Sequence, residues 1–147
     1  DVMDVDVVKA EVGADGRLHG DAVARLLDEH GDAVFAVVAP GGTTNFGIVD
    51  DIASVAEVTK ARDVWLHIDG AYGLAAMLVP RMRPVFAGVE HADSVIVDPH
   101  KWLFAPFDCC ALVYRDLADA RDALLSSGME GGMTEGYEKL DALLSGG

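Results

Sequence analysis

The apolar residues of the chain fall into short continuous runs separated by Gly, Pro and Asp. Runs of this length, bounded by turn residues, are typical of strands that are covered on both faces. We predict such strands at 33–39 (AVFAVVA), 64–68 (VWLHI), 94–97 (SVIV) and 109–114 (CCALVY), and a further strand at 5–12 (VDVVKAEV).

Helical spacing of apolar positions marks the segments between the strands. We predict helices at 21–30, 50–62 and 116–125, the first of them ended by Gly31. Residues 74–92 contain two prolines and are expected to be irregular and partly helical. Alternating helices and continuous apolar strands predict an α/β fold with a mostly parallel sheet flanked by helices.

Polar residues stand where three of these strands end. Thr43 and Thr44 follow the strand at 33–39, Asp69 follows 64–68, and His100 and Lys101 follow 94–97. Ligands of open α/β sheets bind outside the carboxyl ends of the strands. The three strand ends therefore form one candidate site.

Composition narrows the classes of partner. The 147 residues carry a formal charge of −14, which argues against nucleic acid and anionic membrane surfaces. No apolar run approaches the ~20 residues of a membrane-spanning helix, and the acidic start does not resemble a signal peptide. The adjacent Cys109 and Cys110 fit neither a metal site nor a disulfide framework, so we predict a reducing, cytoplasmic location.

Each candidate residue has an ordinary structural explanation when it is taken alone. Asp69 before a glycine is commonly a turn or helix cap, and His67 with Asp69 lacks the third ligand of a metal site. GGTTNFG lacks the Lys-Ser/Thr of a P-loop. Lys101 would be a surface lysine, except that apolar strands flank it on both sides. Partial burial favours the neutral amine, which is the nucleophile of Schiff-base chemistry.

The motifs WLHIDGAYG and, further on, ADSVIVDPHKWLF resemble the group II pyridoxal-phosphate-dependent amino-acid decarboxylases, the aromatic-amino-acid and glutamate decarboxylase group. GTTNFGIVDDI upstream and FDCCALVYRD downstream agree, so the resemblance covers roughly residues 5–120. It implies the aspartate-aminotransferase-like fold. Residues 1–122 would be an incomplete cofactor-binding large domain, and residues 123–147 a Gly-rich tail of uncertain structure.

The resemblance also implies the cofactor, pyridoxal 5'-phosphate, and the roles of individual residues. Lys101 would form the internal aldimine, and Asp69 would bind the pyridine nitrogen and keep the ring protonated as an electron sink. Further cofactor contacts are implied for Ala71 under the ring, Thr44, His100 and, on the phosphate side, Ser94.

Asp98 departs from the resemblance, because many relatives have Asn at this position, close to the phosphate. A carboxylate beside a phosphate costs like-charge repulsion unless it turns away or is protonated. We therefore leave Asp98 out of the predicted site.

The implied reaction is decarboxylation of an aromatic or related amino acid to the amine and CO2. HKWLFAPFDC is closer to the aromatic branch than to the glutamate branch, and bacterial relatives with this motif also act on diaminobutyrate. A homodimer is expected for the full-length enzyme, whose ring-stacking histidine, loop tyrosine and small domain are not identifiable here. Two alternatives stay open: a non-catalytic remnant or interaction fragment, and another enzyme of the same fold, such as an aldolase or aminotransferase.

Overall fold

The structure, a computed structural model, describes residues 5–126. Its helices are α1 (Gly20–His30), α2 (Ile52–Ala61), α3 (Pro99–Trp102) and α4 (Leu117–Ser126). Its strands are β1 (Ala36–Pro40), β2 (Trp65–Asp69), β3 (Ser94–Val97) and β4 (Ala111–Tyr114). The irregular segment predicted at 74–92 consists of the 3₁₀ helices Leu74–Leu78, Pro80–Phe86 and Val89–His91.

The strands form one sheet in the order β1-β2-β3-β4. β1 and β2 are parallel with Pro40 opposite Asp69, and β2 and β3 are parallel with Asp69 opposite Ile96. Because these three strands run in the same direction, their carboxyl ends lie at one edge of the sheet. The predicted α/β class with a mostly parallel sheet is confirmed.

The core lies between one face of the sheet and the helices α1 and α2. α1 packs on α2, and α2 packs on β1 and β2. The strand residues of this core include Ala39, Leu66 and Ile68, all essentially buried. α1 ends as predicted at Gly31, whose φ of 55° suits glycine and whose N–H donates to Leu27 O.

The prediction that the strands are covered on both faces is wrong for β1. Successive side chains of a strand point to opposite faces, and only one face of β1 joins the core. Val38 is 58% exposed, whereas its neighbour Ala39 is fully buried. Asp69 is also exposed, at the carboxyl end of β2. The face opposite the core therefore presents side chains at the predicted site.

The prediction of a strand at 5–12 is also wrong. This segment has no regular secondary structure, and Val7 and Val12 are 78% and 60% exposed. An apolar pattern makes a strand only where a neighbouring strand takes its backbone hydrogen bonds, and residues 5–12 have no such partner in the described part of the chain.

The described residues divide after Val113 into two compact units. Most of the tail predicted at 123–147 lies outside the described residues, so its predicted boundary stays a prediction. Within residues 5–126, no helix is both long enough and apolar enough to cross a membrane.

Candidate active site

Asp69 is the last residue of β2, and its side chain is exposed at the sheet edge. Its Oδ1 accepts a hydrogen bond from Ala71 N at 3.2 Å, and its carbonyl oxygen accepts one from Gly41 N at 2.7 Å. Within the described chain, Oδ2 accepts no hydrogen bond. Asp69 therefore caps its own turn with one oxygen and leaves the other open to a ligand. This agrees with both roles considered from the sequence, a turn cap and a ligand-binding carboxylate.

The turn after β2 is joined to the helix that carries Lys101. Ala71 O accepts a hydrogen bond from Asp98 N at 3.2 Å. The rings of Tyr72 and Trp102 pack edge to face, with centroids 5.5 Å apart and an interplanar angle of 88°. These two contacts hold the turn of Asp69 and Ala71 beside α3.

The loop after β1 packs against the same turn by close backbone approach. A Cβ atom on Gly73 would lie 2.6 Å from both Gly41 O and Gly42 Cα. Only glycine permits this distance, because a real Cβ does not approach another heavy atom so closely. Three of the predicted strand ends are thus tied to one another through backbone contacts.

Thr43 and Thr44 have different surroundings in the loop after β1. The Thr43 hydroxyl accepts a hydrogen bond from Ile48 N at 3.1 Å, so it is used to close the loop. Thr44 is exposed, and its hydroxyl makes no hydrogen bond to any residue among 5–126. Thr44, the residue predicted to contact the cofactor, is therefore the one whose hydroxyl is available.

Lys101 lies in α3, one turn after the end of β3. Its Nζ forms an ion pair with Asp98 Oδ2 at 2.8 Å, and its N–H donates to Asp98 O at 3.0 Å. The Lys101 side chain is 34% exposed and that of Asp98 only 12%. The lysine is partly covered, as the flanking strands predict, but its ammonium has a counter-charge that the sequence analysis did not assign.

Asp98 is ionised in this pair. The hydrogen bond from Lys101 and then the nearby Cys110 thiol hold the pKa of its carboxyl below the ordinary value, although burial acts in the opposite direction. The same carboxylate raises the pKa of Cys110. Among residues 5–126, the buried Oδ1 of Asp98 has no hydrogen-bond partner. The sequence offered a signal for this pair: Pro starts a helical turn, which places residues three apart on one face.

His100 is held by the connection that follows α3. Its Nδ1 donates a hydrogen bond to Cys109 O at 2.7 Å, and its ring packs edge to face on Phe107 with centroids 5.3 Å apart. Because the carbonyl can only accept, the imidazole is fixed with a proton on Nδ1. The structure thus brings His100 to the Lys101 side of the site in a defined orientation.

Ser94 does not lie at this edge. It is the first residue of β3, pairs with His67 in the sheet and is 5% exposed. Its Oγ lies 3.0 Å from Trp65 Nε1 and 2.8 Å from His67 Nδ1. Burial lowers the pKa of His67, against a smaller opposing effect of Asp69. The Ser94 hydroxyl is therefore bonded to a neutral imidazole and an indole, about 13 Å along the strand from Asp98.

The residues at the edge fit the two ends of pyridoxal phosphate. An open carboxylate oxygen on Asp69 suits a protonated pyridine nitrogen, and the Lys101 amine suits the aldehyde. Ala71, whose backbone bonds to both Asp69 and Asp98, is small and half-buried, which suits a flat ring. No three His, Cys, Asp or Glu side chains of residues 5–126 are grouped so that they could hold a metal ion.

The sequence matches the family model described as the pyridoxal-dependent decarboxylase conserved domain over residues 2–127. L-2,4-diaminobutyrate decarboxylase of Rhizobium meliloti is 41% identical over 77% of this chain and 23% of its own length. Aromatic-L-amino-acid decarboxylase of Bacillus atrophaeus is 45% identical over 56% of this chain and 18% of its own.

Solved structures agree with the sequence relatives. A crystal structure of mouse CSAD in apo form superposes with a TM-score of 0.68 at 34% identity, over 73% of this chain and 23% of that one. Oryza sativa TDC with PLP and tryptamine gives a TM-score of 0.67 at 35% identity, over 71% of this chain and 23% of that one. The chain thus spans about a quarter or less of the length of these relatives.

Proposed function

The chain belongs to the pyridoxal-dependent decarboxylase family, and we propose that it serves in the decarboxylation of an amino acid to an amine and CO2, with the cofactor held at Lys101. Pyridoxal phosphate is the cofactor of this family. The observation that carries the proposal is the joining of two adjacent strand ends. One ends in a carboxylate with an open oxygen and the other in a partly covered lysine, and the Asp98 N to Ala71 O hydrogen bond connects them.

Each residue at the edge has a defined part in this proposal. The bound cofactor supplies an electron sink for the electrons released at the substrate Cα. Asp69 would hold the proton on the pyridine nitrogen, Lys101 would bind the aldehyde carbon, and Ala71 would lie under the ring. Thr44 and His100 would make further contacts with the cofactor. We assign Ser94 a structural part, because its hydroxyl is buried and already bonded to two side chains.

We propose an aromatic or related amino acid as the substrate. The motif around Lys101 and the aromatic-L-amino-acid decarboxylase of Bacillus atrophaeus support this class. L-2,4-diaminobutyrate is the second candidate, because the Rhizobium meliloti decarboxylase of that name aligns with the larger share of this chain.

The proposal includes a homodimer and a cytoplasmic location. Phe104 and Phe107, which follow α3 closely, are 94% and 83% exposed. Aromatic side chains exposed together are typical of surfaces that become covered by protein. Both cysteines are free thiols, which agrees with a reducing compartment.

The test is to incubate the chain with pyridoxal phosphate and either an aromatic L-amino acid or L-2,4-diaminobutyrate, and to measure the amine and CO2. Equal amounts of amine and CO2 support the proposal, and the preferred amino acid identifies the substrate class. A keto acid formed together with pyridoxamine phosphate, without CO2, would instead indicate an aminotransferase. Cleavage of an added β-hydroxy amino acid to an aldehyde and glycine would indicate an aldolase. A cofactor bound at Lys101 without any turnover would indicate a non-catalytic remnant.

A further inference from the structure

We propose that Asp98 opposes the covalent capture of the cofactor by Lys101, because its carboxylate holds the lysine ammonium in an ion pair that must open before the nitrogen can attack. The inference rests on the proposed function, in which Lys101 binds the cofactor aldehyde. It assigns Asp98 as a positioning residue, which acts on the reaction through Lys101.

The geometry makes the pair stronger than an ordinary surface ion pair. Nζ of Lys101 lies 2.8 Å from Oδ2 of Asp98, whose side chain is only 12% exposed. The backbone hydrogen bond from Lys101 N to Asp98 O fixes the turn that separates the two residues. Solvent and salt screen such a partly covered pair less than a fully exposed one.

The chemistry at Lys101 requires the ion pair with Asp98 to open. A protonated amine has no lone pair for attack, so Lys101 must first release a proton to solvent. Its nitrogen then bonds to the aldehyde carbon, and the carbonyl oxygen leaves as water. The contact between the Lys101 ammonium and Asp98 must therefore be broken before the covalent step.

Opening the pair leaves the Asp98 carboxylate poorly compensated. Among residues 5–126, its buried Oδ1 has no hydrogen-bond partner. His100 also lowers the pKa of the Asp98 carboxyl, but less than Lys101 does, and the neighbouring Cys110 thiol, whose pKa the carboxylate raises, stays neutral. Separating a covered carboxylate from its counter-charge is costly, and this cost slows the covalent capture of the cofactor.

The experiment measures how fast pyridoxal phosphate becomes fixed on Lys101 at neutral pH, by borohydride trapping and peptide mass spectrometry. Asp98→Asn keeps the size of the side chain but removes its charge. We expect trapping to be about three- to tenfold faster in this variant. Asp98→Glu keeps a carboxylate at this position, and we expect its trapping rate to equal that of the unchanged chain.

Asp32→Asn is the matched control. It removes the same charge from an exposed residue before β1, and we expect no change in its trapping rate. A rate in Asp98→Asn that equals that of the unchanged chain would overturn the proposal. A slower rate would overturn it too, because it would mean that Asp98 assists the loss of the lysine proton.

A measurement without cofactor separates this proposal from the proposed function. The chain is labelled with a small neutral acylating reagent, and the labelling of Lys101 is compared with that of Lys60, an exposed lysine in the last turn of α2. Asp98→Asn should raise the labelling of Lys101 about threefold or more relative to Lys60. An unchanged ratio would contradict the ion pair, whatever the cofactor does.

The outcomes of the two measurements are distinct. If pyridoxal phosphate is never fixed on Lys101 but the labelling ratio rises in Asp98→Asn, the proposed function fails and the ion pair stands. If Asp98→Asn is unfolded by circular dichroism, Asp98→Ser replaces it as a smaller variant without the charge. Labelling of Lys101 should again rise relative to Lys60, and no rise would overturn the proposal.

Discussion

Asp69 is the residue at which the structure of the turn and the proposed chemistry meet. Its Oδ1 caps the turn through Ala71 N, while Oδ2 accepts no hydrogen bond within residues 5–126. An amide at this position retains an oxygen for the cap but has no negative charge to hold a proton on the pyridine nitrogen. Charge and turn structure can therefore be separated by one substitution.

We predict that Asp69→Asn folds normally and still fixes the cofactor on Lys101, but that its decarboxylation rate falls on the order of 100-fold. Circular dichroism, borohydride trapping and CO2 release measure the three quantities. Asp63→Asn, an exposed control before β2, should be unchanged in all of them. An undiminished rate in Asp69→Asn would show that this carboxylate does not hold the pyridine nitrogen.

Ser94 provides the opposite case, a predicted cofactor contact that has a structural function in the fold. We predict that Ser94→Ala lowers the free energy of unfolding by about 1–3 kcal/mol, because Trp65 Nε1 and His67 Nδ1 lose their shared partner. Denaturant unfolding measures this loss, and Ser94→Thr, which keeps the hydroxyl, is the control. A Ser94→Ala variant that keeps its full stability but loses affinity for pyridoxal phosphate would instead support the predicted contact between Ser94 and the phosphate group.

At the scale of elements, the site depends on the close backbone approach between the loops after β1 and β2. Gly73 has φ of −89°, which any residue can adopt, so the only effect of a methyl group is the clash with Gly41 O and Gly42 Cα. We predict that Gly73→Ala costs about 1–3 kcal/mol of stability and slows cofactor trapping. Denaturant unfolding measures the stability, and a Gly73→Ala variant as stable as the unchanged chain would contradict this packing.

The starts of α1 and α2 are joined by a pH-dependent cluster. His19 lies 3.0 Å from Asp15 and 3.3 Å from Asp51, the N-cap of α2. The hydrogen bond to Asp15 raises the pKa of His19 above its ordinary value of 6.5 and lowers that of Asp15 below 3.8. Burial acts against ionisation of Asp51, but hydrogen bonds from Ser54 and His19 still lower its pKa.

The signs of these shifts define a pH window. The contribution of His19 is complete below 6.5 and is lost as the pH rises through its raised pKa, whereas that of the two carboxylates is lost as the pH falls below 3.8. We predict that His19→Gln destabilises the chain more at about pH 5.5 than at about pH 8.5. Urea unfolding at both values measures this. His30→Gln, at the exposed end of α1, is the control, and equal losses for His19→Gln at both pH values would contradict the cluster.

For the molecule as a whole, the sequence predicts the class of fold, the mostly parallel sheet and the strand ends that carry Asp69 and Lys101. These features follow from apolar runs and turn residues, which are local. The predictions of a strand at 5–12 and of a second covered face for β1 are wrong, because both features depend on which elements pack as neighbours. The Asp98–Lys101 pair was not predicted, for a similar reason. The resemblance to the family indicates a phosphate near Asp98, whereas the helical turn of α3 places the Asp98 carboxylate beside the Lys101 ammonium.

Lys101 is the residue that the proposed function requires for the binding of pyridoxal phosphate, and one measurement tests this role most directly. The chain is mixed with pyridoxal phosphate, reduced with borohydride and digested, and the modified peptide is located by mass spectrometry. We predict that the adduct lies on Lys101, that Lys101→Ala abolishes it and that Lys60→Ala does not. An adduct spread over exposed lysines, or one that persists in Lys101→Ala, would contradict the account.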